Sequence, residues 1–186
     1  MKINRVSVPQ LLLGLLGWLF SSANLNADTH HAHGAHVHGE AELYIVHEHG
    51  KLFIEFISPA INLIDFEHPP KSEQQQNILT HTKQILVEGD QLFQITPFNC
   101  QLETATASAP YIDGAPSAEH FHSGGEHPDF HASYVFNCQA NTKLTTIYTA
   151  LIVKFPGIER IKVQWIVQNQ QGSTQLTTDR ATLSFN

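Results

Sequence analysis

Glu40-Ala41-Glu42-Leu43-Tyr44-Ile45-Val46-His47-Glu48-His49-Gly50-Lys51-Leu52-Phe53-Ile54-Glu55-Phe56 alternates apolar and polar residues with a period of two. Ala41, Leu43 and Ile45 share one face, and after a polar turn at His47-Glu48-His49-Gly50 so do Leu52, Ile54 and Phe56. Strict alternation marks strands buried on one side, and two such runs around a short Gly-containing turn make a β-hairpin. The turn histidines, His47 and His49, read as solvent-facing bystanders.

Downstream, Ser58-Pro59 ends the second strand, and residues 60–68 read as an irregular or briefly helical crossing that stops at Pro69-Pro70. Ser72 followed by Gln75 is a capping-box pattern opening a helix. Its apolar face is Ile78, Leu79, Thr82, Ile85 and Leu86, and Gly89 is the expected stop. Strands are expected at 92–96 and 99–107, so this half reads β-β-α-β-β. Residues 103–131 are poor in aliphatic residues. Strand character resumes at 132–138, with Tyr134 and Phe136 on one face. A strand is next expected at 143–155, of which 145–155 is ambiguous: Ile147, Leu151 and Phe155 fit helix spacing, while the β-branched residues favour a strand. A turn at Pro156-Gly157 and strands at 161–168 and 175–185 follow. An ungapped alignment of 50–67 with 142–159 suggests an internal repeat. The expected fold is α+β and β-dominated: two similar β-rich lobes (ββαββ-like), 39–107 and 132–186, with a His-rich connecting loop at 108–131.

Upstream, Lys2 and Arg5 precede an apolar run at 11–20 and a small-residue cleavage site at Ser21-Ser22-Ala23, with Ala27 as a second candidate. Residues 1–23 read as a signal peptide and 24–38 as a His-rich N-terminal tail. The apolar run is too short to span a bilayer, so the expected location is the periplasm, with no membrane insertion after cleavage. A net charge of −7 with only 10 Lys+Arg leaves too few cations for a nucleic-acid face. Two cysteines, Cys100 and Cys138, are expected to pair in an oxidising compartment and to staple the insert at its base.

The 13 histidines are concentrated in two places. His30, His31, His33, His36 and His38 precede the hairpin; His120, His122, His127 and His131 precede the strand at 132–138; His81 stands alone. Clustered neutral imidazoles are ligands for late first-row metals. If residues 36–38 are extended, His36 and His38 project from one face with α-carbons about 7 Å apart. His127, Asp129 and His131 offer three donors on one face by the same logic, with Pro128 compatible with an edge strand or loop. His68, held extended before Pro69-Pro70, is the candidate to complete the first site. His120 or His122, folding back at Gly124-Gly125, would complete the second. His33, like His30 and His31, would assist capture from the tail.

The only methionine is Met1 and the cysteines are expected to be bonded, so neither thioether nor thiolate ligands remain. Imidazole with carboxylate suits Zn²⁺, and also Ni²⁺ and Cu²⁺. No His-Glu-x-x-His, Gly-x-Ser-x-Gly or Gly-rich phosphate loop occurs, so no enzyme is expected, although Glu67 or Glu126 could act beside a catalytic zinc. Residues 34–39, Gly-Ala-His-Val-His-Gly, are similar to the Gly-Phe-His-x-His segment of Cu,Zn superoxide dismutases. That family follows the segment with a nearby Cys, and the next one here is Cys100. A periplasmic Ni²⁺/Cu²⁺ binding or storage protein is the other alternative.

Four segments carry a broader resemblance: His-Gly-Ala-His-Val-His-Gly-Glu-Ala-Glu-Leu (33–43), Phe-Ile-Ser-Pro-Ala-Ile-Asn-Leu-Ile-Asp-Phe-Glu-His (56–68), Glu-His-Pro-Asp-Phe-His-Ala-Ser-Tyr-Val-Phe-Asn-Cys (126–138) and Phe-Pro-Gly-Ile-Glu-Arg-Ile-Lys-Val-Gln-Trp (155–165). In this order they resemble the ZrgA-type periplasmic zinc-uptake proteins of Gram-negative bacteria. The resemblance implies a zinc-binding accessory to a zinc ABC importer, pseudo-symmetric halves, ligands from the histidine segments and a flexible His-rich loop. The loop here, 108–126, is shorter and poorer in His and Asp than that resemblance leads one to expect.

Overall fold

The hairpin forms the two middle strands of a six-stranded sheet. Strand β1 (Glu40–Glu48) pairs antiparallel with β2 (Lys51–Pro59), from Glu42 opposite Ile57 to Glu48 opposite Lys51. The turn is His49-Gly50 alone, both with positive φ (50° and 76°). Two left-handed residues give a hairpin turn whose twist matches that of the strands. The expected four-residue turn is therefore two residues shorter, and His47 and Glu48 belong to β1.

The structure, a computed structural model, describes residues 37–97, 99–113, 128–139 and 143–185, all within one compact unit. The expected signal peptide and most of the His-rich tail and loop lie outside these residues. Around the hairpin stand β4 (Cys100–Ser108), β5 (Asp129–Cys138), β7 (Arg160–Val167) and β8 (Gln170–Thr177), giving a six-stranded sheet of order β4-β5-β2-β1-β7-β8. All neighbours are antiparallel except β1 and β7, which run parallel from Glu40/Arg160 to His47/Val167. A smaller sheet holds β3 (Phe93–Thr96), β6 (Thr146–Thr149) and β9 (Thr182–Ser184) in the order β3-β6-β9.

This topology corrects the expected division into lobes. Strands from 39–107 and from 132–186 share both sheets, so among the described residues neither segment closes a sheet of its own. The aligned segments do both pass from a strand into a short helix, β2 into α1 (Ala60–Ile64) and β6 into α4 (Leu151–Lys154), but in different sheets. The ambiguity at 145–155 resolves as strand followed by helix. The segment 175–185 is two strands rather than one, because β8 begins at Gln170, after a turn at Gln168-Asn169 in which both φ are positive. The loop is shorter at both ends than expected: Ser108 closes β4 and Asp129 opens β5.

Helix α2 (Glu73–Leu86) starts as its sequence requires. The Ser72 hydroxyl accepts from the Gln75 amide at 3.2 Å, while the Gln75 side chain reaches back to the Lys71 amide at 2.7 Å, one residue beyond a strict capping box. Leu79, Thr82 and Leu86 are buried, Ile85 partly, and Ile78 is exposed at the edge of the stripe. Gly89 does not stop this helix. It begins α3 (Gly89–Leu92), and a Cβ there would lie 2.6 Å from the Tyr134 ring, so close packing is the reason for glycine.

Leu43, Ile45, Leu52, Ile54, Phe56, Phe130, Tyr134 and Phe136 form the inner face of the large sheet, each no more than 2% exposed. Burial of side chains this size stabilises the fold by roughly 1.5–3 kcal/mol each. The Tyr134 hydroxyl donates to the Leu86 carbonyl at 2.7 Å, and the Phe93 ring meets Tyr134 edge-on at 5.0 Å, tying α2 and the small sheet to β5. The outer face carries Glu42, Glu55, Lys162 and Gln164. No helix among the described residues is long and apolar enough to cross a membrane.

Cys100 and Cys138 are bonded, facing one another across β4 and β5. The bond is not at the base of the insert. The insert leaves from Ser108 and returns at Asp129, at the other end of the β4–β5 ladder.

His47 introduces a pH dependence. Its Nε2 is buried without a hydrogen-bond partner among the described residues, and burial holds its pKa below the usual 6.5. The native state thus binds this proton less readily than the unfolded chain. Its stability contribution is intact above about pH 6.5 and is lost as pH falls below that value. Urea unfolding at pH 7.5 and 5.5 should show a smaller pH difference in His47→Gln than in the unmodified protein; an equal difference would exclude His47 as a source.

Candidate metal centre

One end of the large sheet gathers the donors. Strands β1, β5 and β7 begin there while β2, β4 and β8 end, because Glu40 pairs with Arg160, Pro59 with Asp129, Ser108 with His131 and Arg160 with Thr177. His38 lies just before β1, Asp129 and His131 open β5, and these strands flank β2 on its two sides. The crossing that carries Glu67 and His68 leaves from the same end of β2. Its first amide, from Ala60, donates to the Pro128 carbonyl at 2.8 Å, joining α1 to the start of β5.

A buried asparagine sets the approach to β1. Asn62, 4% exposed, accepts from the Gly39 amide at 2.7 Å and donates to the Glu40 carbonyl at 2.9 Å and the Ser58 hydroxyl at 3.2 Å. Gly39 has φ +81°, and its carbonyl accepts from the Glu159 and Arg160 amides. Beside it, Glu40 pairs with Lys162 and with Arg160, the latter at 2.7 Å; the Lys162 bond is the main cause of its lowered pKa, against a smaller desolvation effect. Residue 38 is thus joined to a fixed backbone. Replacing Asn62 by Leu leaves the Gly39 amide and Glu40 carbonyl without these partners and should lower stability by about 1–3 kcal/mol. An unchanged urea midpoint in Asn62→Leu would exclude this clamp. The sequence carried no signal for Asn62, since a single buried amide has no periodicity.

His38 reaches across to the crossing. Its Nε2 lies 3.5 Å from Glu67 Oε2, with side chains 67% and 24% exposed respectively. The other oxygen, Glu67 Oε1, is buried and has no hydrogen-bond partner among the described residues. The neighbouring Phe66 is buried and stacks on the His68 ring at 5.2 Å. His68 Nδ1 lies 2.8 Å from the Pro69 carbonyl. A carbonyl can only accept, so Nδ1 carries the proton and the lone pair of the neutral ring is on Nε2, an arrangement common in metal-ligating histidines. Tyr111 follows β4 with a left-handed φ of +66°; burial and the charge of Glu67 raise its pKa. Its turn is anchored by Asp113, which accepts from the Ala109 amide at 2.8 Å and pairs with Lys83 of α2 at 2.6 Å.

Asp129 and His131 share the outer face of β5, as their spacing required, while Phe130 and Ala132 point into the core. The strand begins three residues earlier than expected, so both are strand residues. His33, His36, His120, His122 and His127 lie outside the described residues. Among the described residues no three His, Cys, Asp or Glu side chains converge. The structure brings His38 to Glu67, which sequence reasoning had weighed only as an acid/base group, and does not bring His68 into a trio with them.

A family model described as ZrgA family zinc uptake protein matches residues 35–185. The chain belongs to the ZrgA family. The match includes His36, His38, Glu67, His68 and the 127–131 segment, and leaves His30, His31 and His33 outside. The ZrgA resemblance read from four sequence segments is thereby borne out. ZrgA proteins are described by zinc uptake rather than by a catalysed reaction. No protein with a curated description matches this chain.

Proposed function

We propose that this ZrgA-family chain captures Zn²⁺ in the periplasm and supplies or retains it for a high-affinity zinc ABC importer, without catalysing a reaction. The observation that carries the proposal is the gathering of donors at one sheet end. His38 and Glu67 meet there, and the His-rich segments ending at His36 and His127 join the chain at Val37 and Pro128, beside β1 and β5. One site is built on His36 and His38, completed by His68. The other uses His127, Asp129 and His131, completed by His120 or His122. His33 and the tail histidines before it assist capture without building the tightest site, because a tail must lose chain entropy to order around a metal.

Imidazoles shed protons to bind metal, so affinity should fall as pH drops through about 6.5. Metal analysis of the mature protein after dialysis against equal Zn²⁺, Ni²⁺ and Cu²⁺ with a competing chelator tests the proposal. Zinc should be retained at pH 7.5 and largely released at pH 5.5. Retention of nickel or copper in its place, or of no metal, would overturn it.

A further inference from the structure

We propose that Glu67 is the carboxylate ligand of the zinc site that His38 begins. The inference rests on the zinc-capture reading and adds a ligand to it. In tetrahedral zinc sites, bonds to histidine nitrogen and carboxylate oxygen of about 2.0–2.2 Å place two ligand atoms about 3.4 Å apart. His38 Nε2 and Glu67 Oε2 are 3.5 Å apart. That separation is longer than a charge-assisted hydrogen bond, about 2.7–2.9 Å, and leaves room for a cation on the two donors.

The surroundings of Glu67 support the same assignment. No Lys or Arg among the described residues pairs with this carboxylate, whereas Glu40, Glu103 and Asp113 each have such a partner. Its Oε1 is buried and unpartnered among the described residues, so a cation bound beside it would satisfy an oxygen that has no hydrogen-bond partner there. The backbone holds the pair in place from both sides. Asn62 secures Gly39, next to His38, and the α1 helix ends at Asp65 with φ +66°, two residues before Glu67. A bidentate or monodentate carboxylate would lower the net charge of a bound Zn²⁺ and strengthen a site otherwise made of neutral imidazoles.

The test uses the mature chain stripped of metal. Isothermal titration with ZnCl₂ is run on the unmodified protein, Glu67→Gln and Glu67→Asp, with Co²⁺ absorption spectra of each as a readout of ligand geometry. Glu67→Gln should weaken one zinc equivalent at least tenfold and change the Co²⁺ spectrum, and Glu67→Asp should recover part of the loss. A Glu67→Gln protein with unchanged stoichiometry, affinity and spectrum overturns the assignment while leaving zinc capture intact. Unmodified protein that takes up no zinc overturns both. Carbodiimide labelling of the unmodified protein supplies a result that needs no variant: zinc should protect Glu67 from modification, and equal labelling with and without zinc overturns the assignment.

Discussion

Changing His36 and His38 together to alanine should remove one tightly held zinc and leave the other; changing His127 and His131 should do the reverse. The magnitude expected for the lost equivalent is at least about a hundredfold in affinity, since loss of an outer-shell partner alone costs 10–100-fold. Both variants should stay folded. His38 is largely exposed and His131 faces outward from β5, so truncating either leaves no cavity in the core. The alternation that puts Asp129 and His131 on one face also puts Phe130 and Ala132 on the other, and the changes leave those core residues untouched. Mass spectrometry under native conditions, with a chelator competing for weakly held metal, counts the equivalents directly. If either double variant keeps the stoichiometry and affinity of the unmodified protein, the cluster it removes is a bystander.

Replacing Cys100 and Cys138 together by serine should lower stability by roughly 3–4 kcal/mol through loop entropy, for a sequence separation of 38 residues. Zinc stoichiometry should not change. The bond joins β4 and β5 at the end of their ladder remote from Ser108 and Asp129, so the donors at the other end keep their strand pairing. Urea unfolding measures the first effect and metal titration below the unfolding transition the second. A folded variant that has lost a zinc equivalent would show that the two ends are coupled. A midpoint equal to that of the disulfide-bonded protein would show that the bond contributes no stability.

Much of the local structure was legible in the residues themselves. The inward faces of β1 and β2 follow from period two, since successive side chains of a strand point to opposite sides wherever the strand lies. The start of α2 follows from Ser72 and Gln75, which act on amides three and four residues away. The shared face of Asp129 and His131 follows from their spacing alone, and the pairing of Cys100 with Cys138 from their being the only two cysteines of the sequence.

Positions between elements were not legible. Alternation says which side of β1 is buried but not that its parallel neighbour is β7, which begins 120 residues after Glu40, and so two lobes were expected where strands of both halves share two sheets. Gly89 looked like a helix stop because glycine often ends helices; only the Tyr134 ring packed over it shows why no side chain fits. The placement of the disulfide away from the insert depends on which ends of β4 and β5 meet. The Asn62 clamp and the Glu67–His38 contact likewise join residues 23 and 29 positions apart, through a chain reversal set by burial of the hairpin. The sequence by itself determined which faces are buried and which donors share a face, because those are properties of neighbouring residues. Only the tertiary structure decided which donors meet, because packing across the sheet end sets distances that no spacing along the chain encodes.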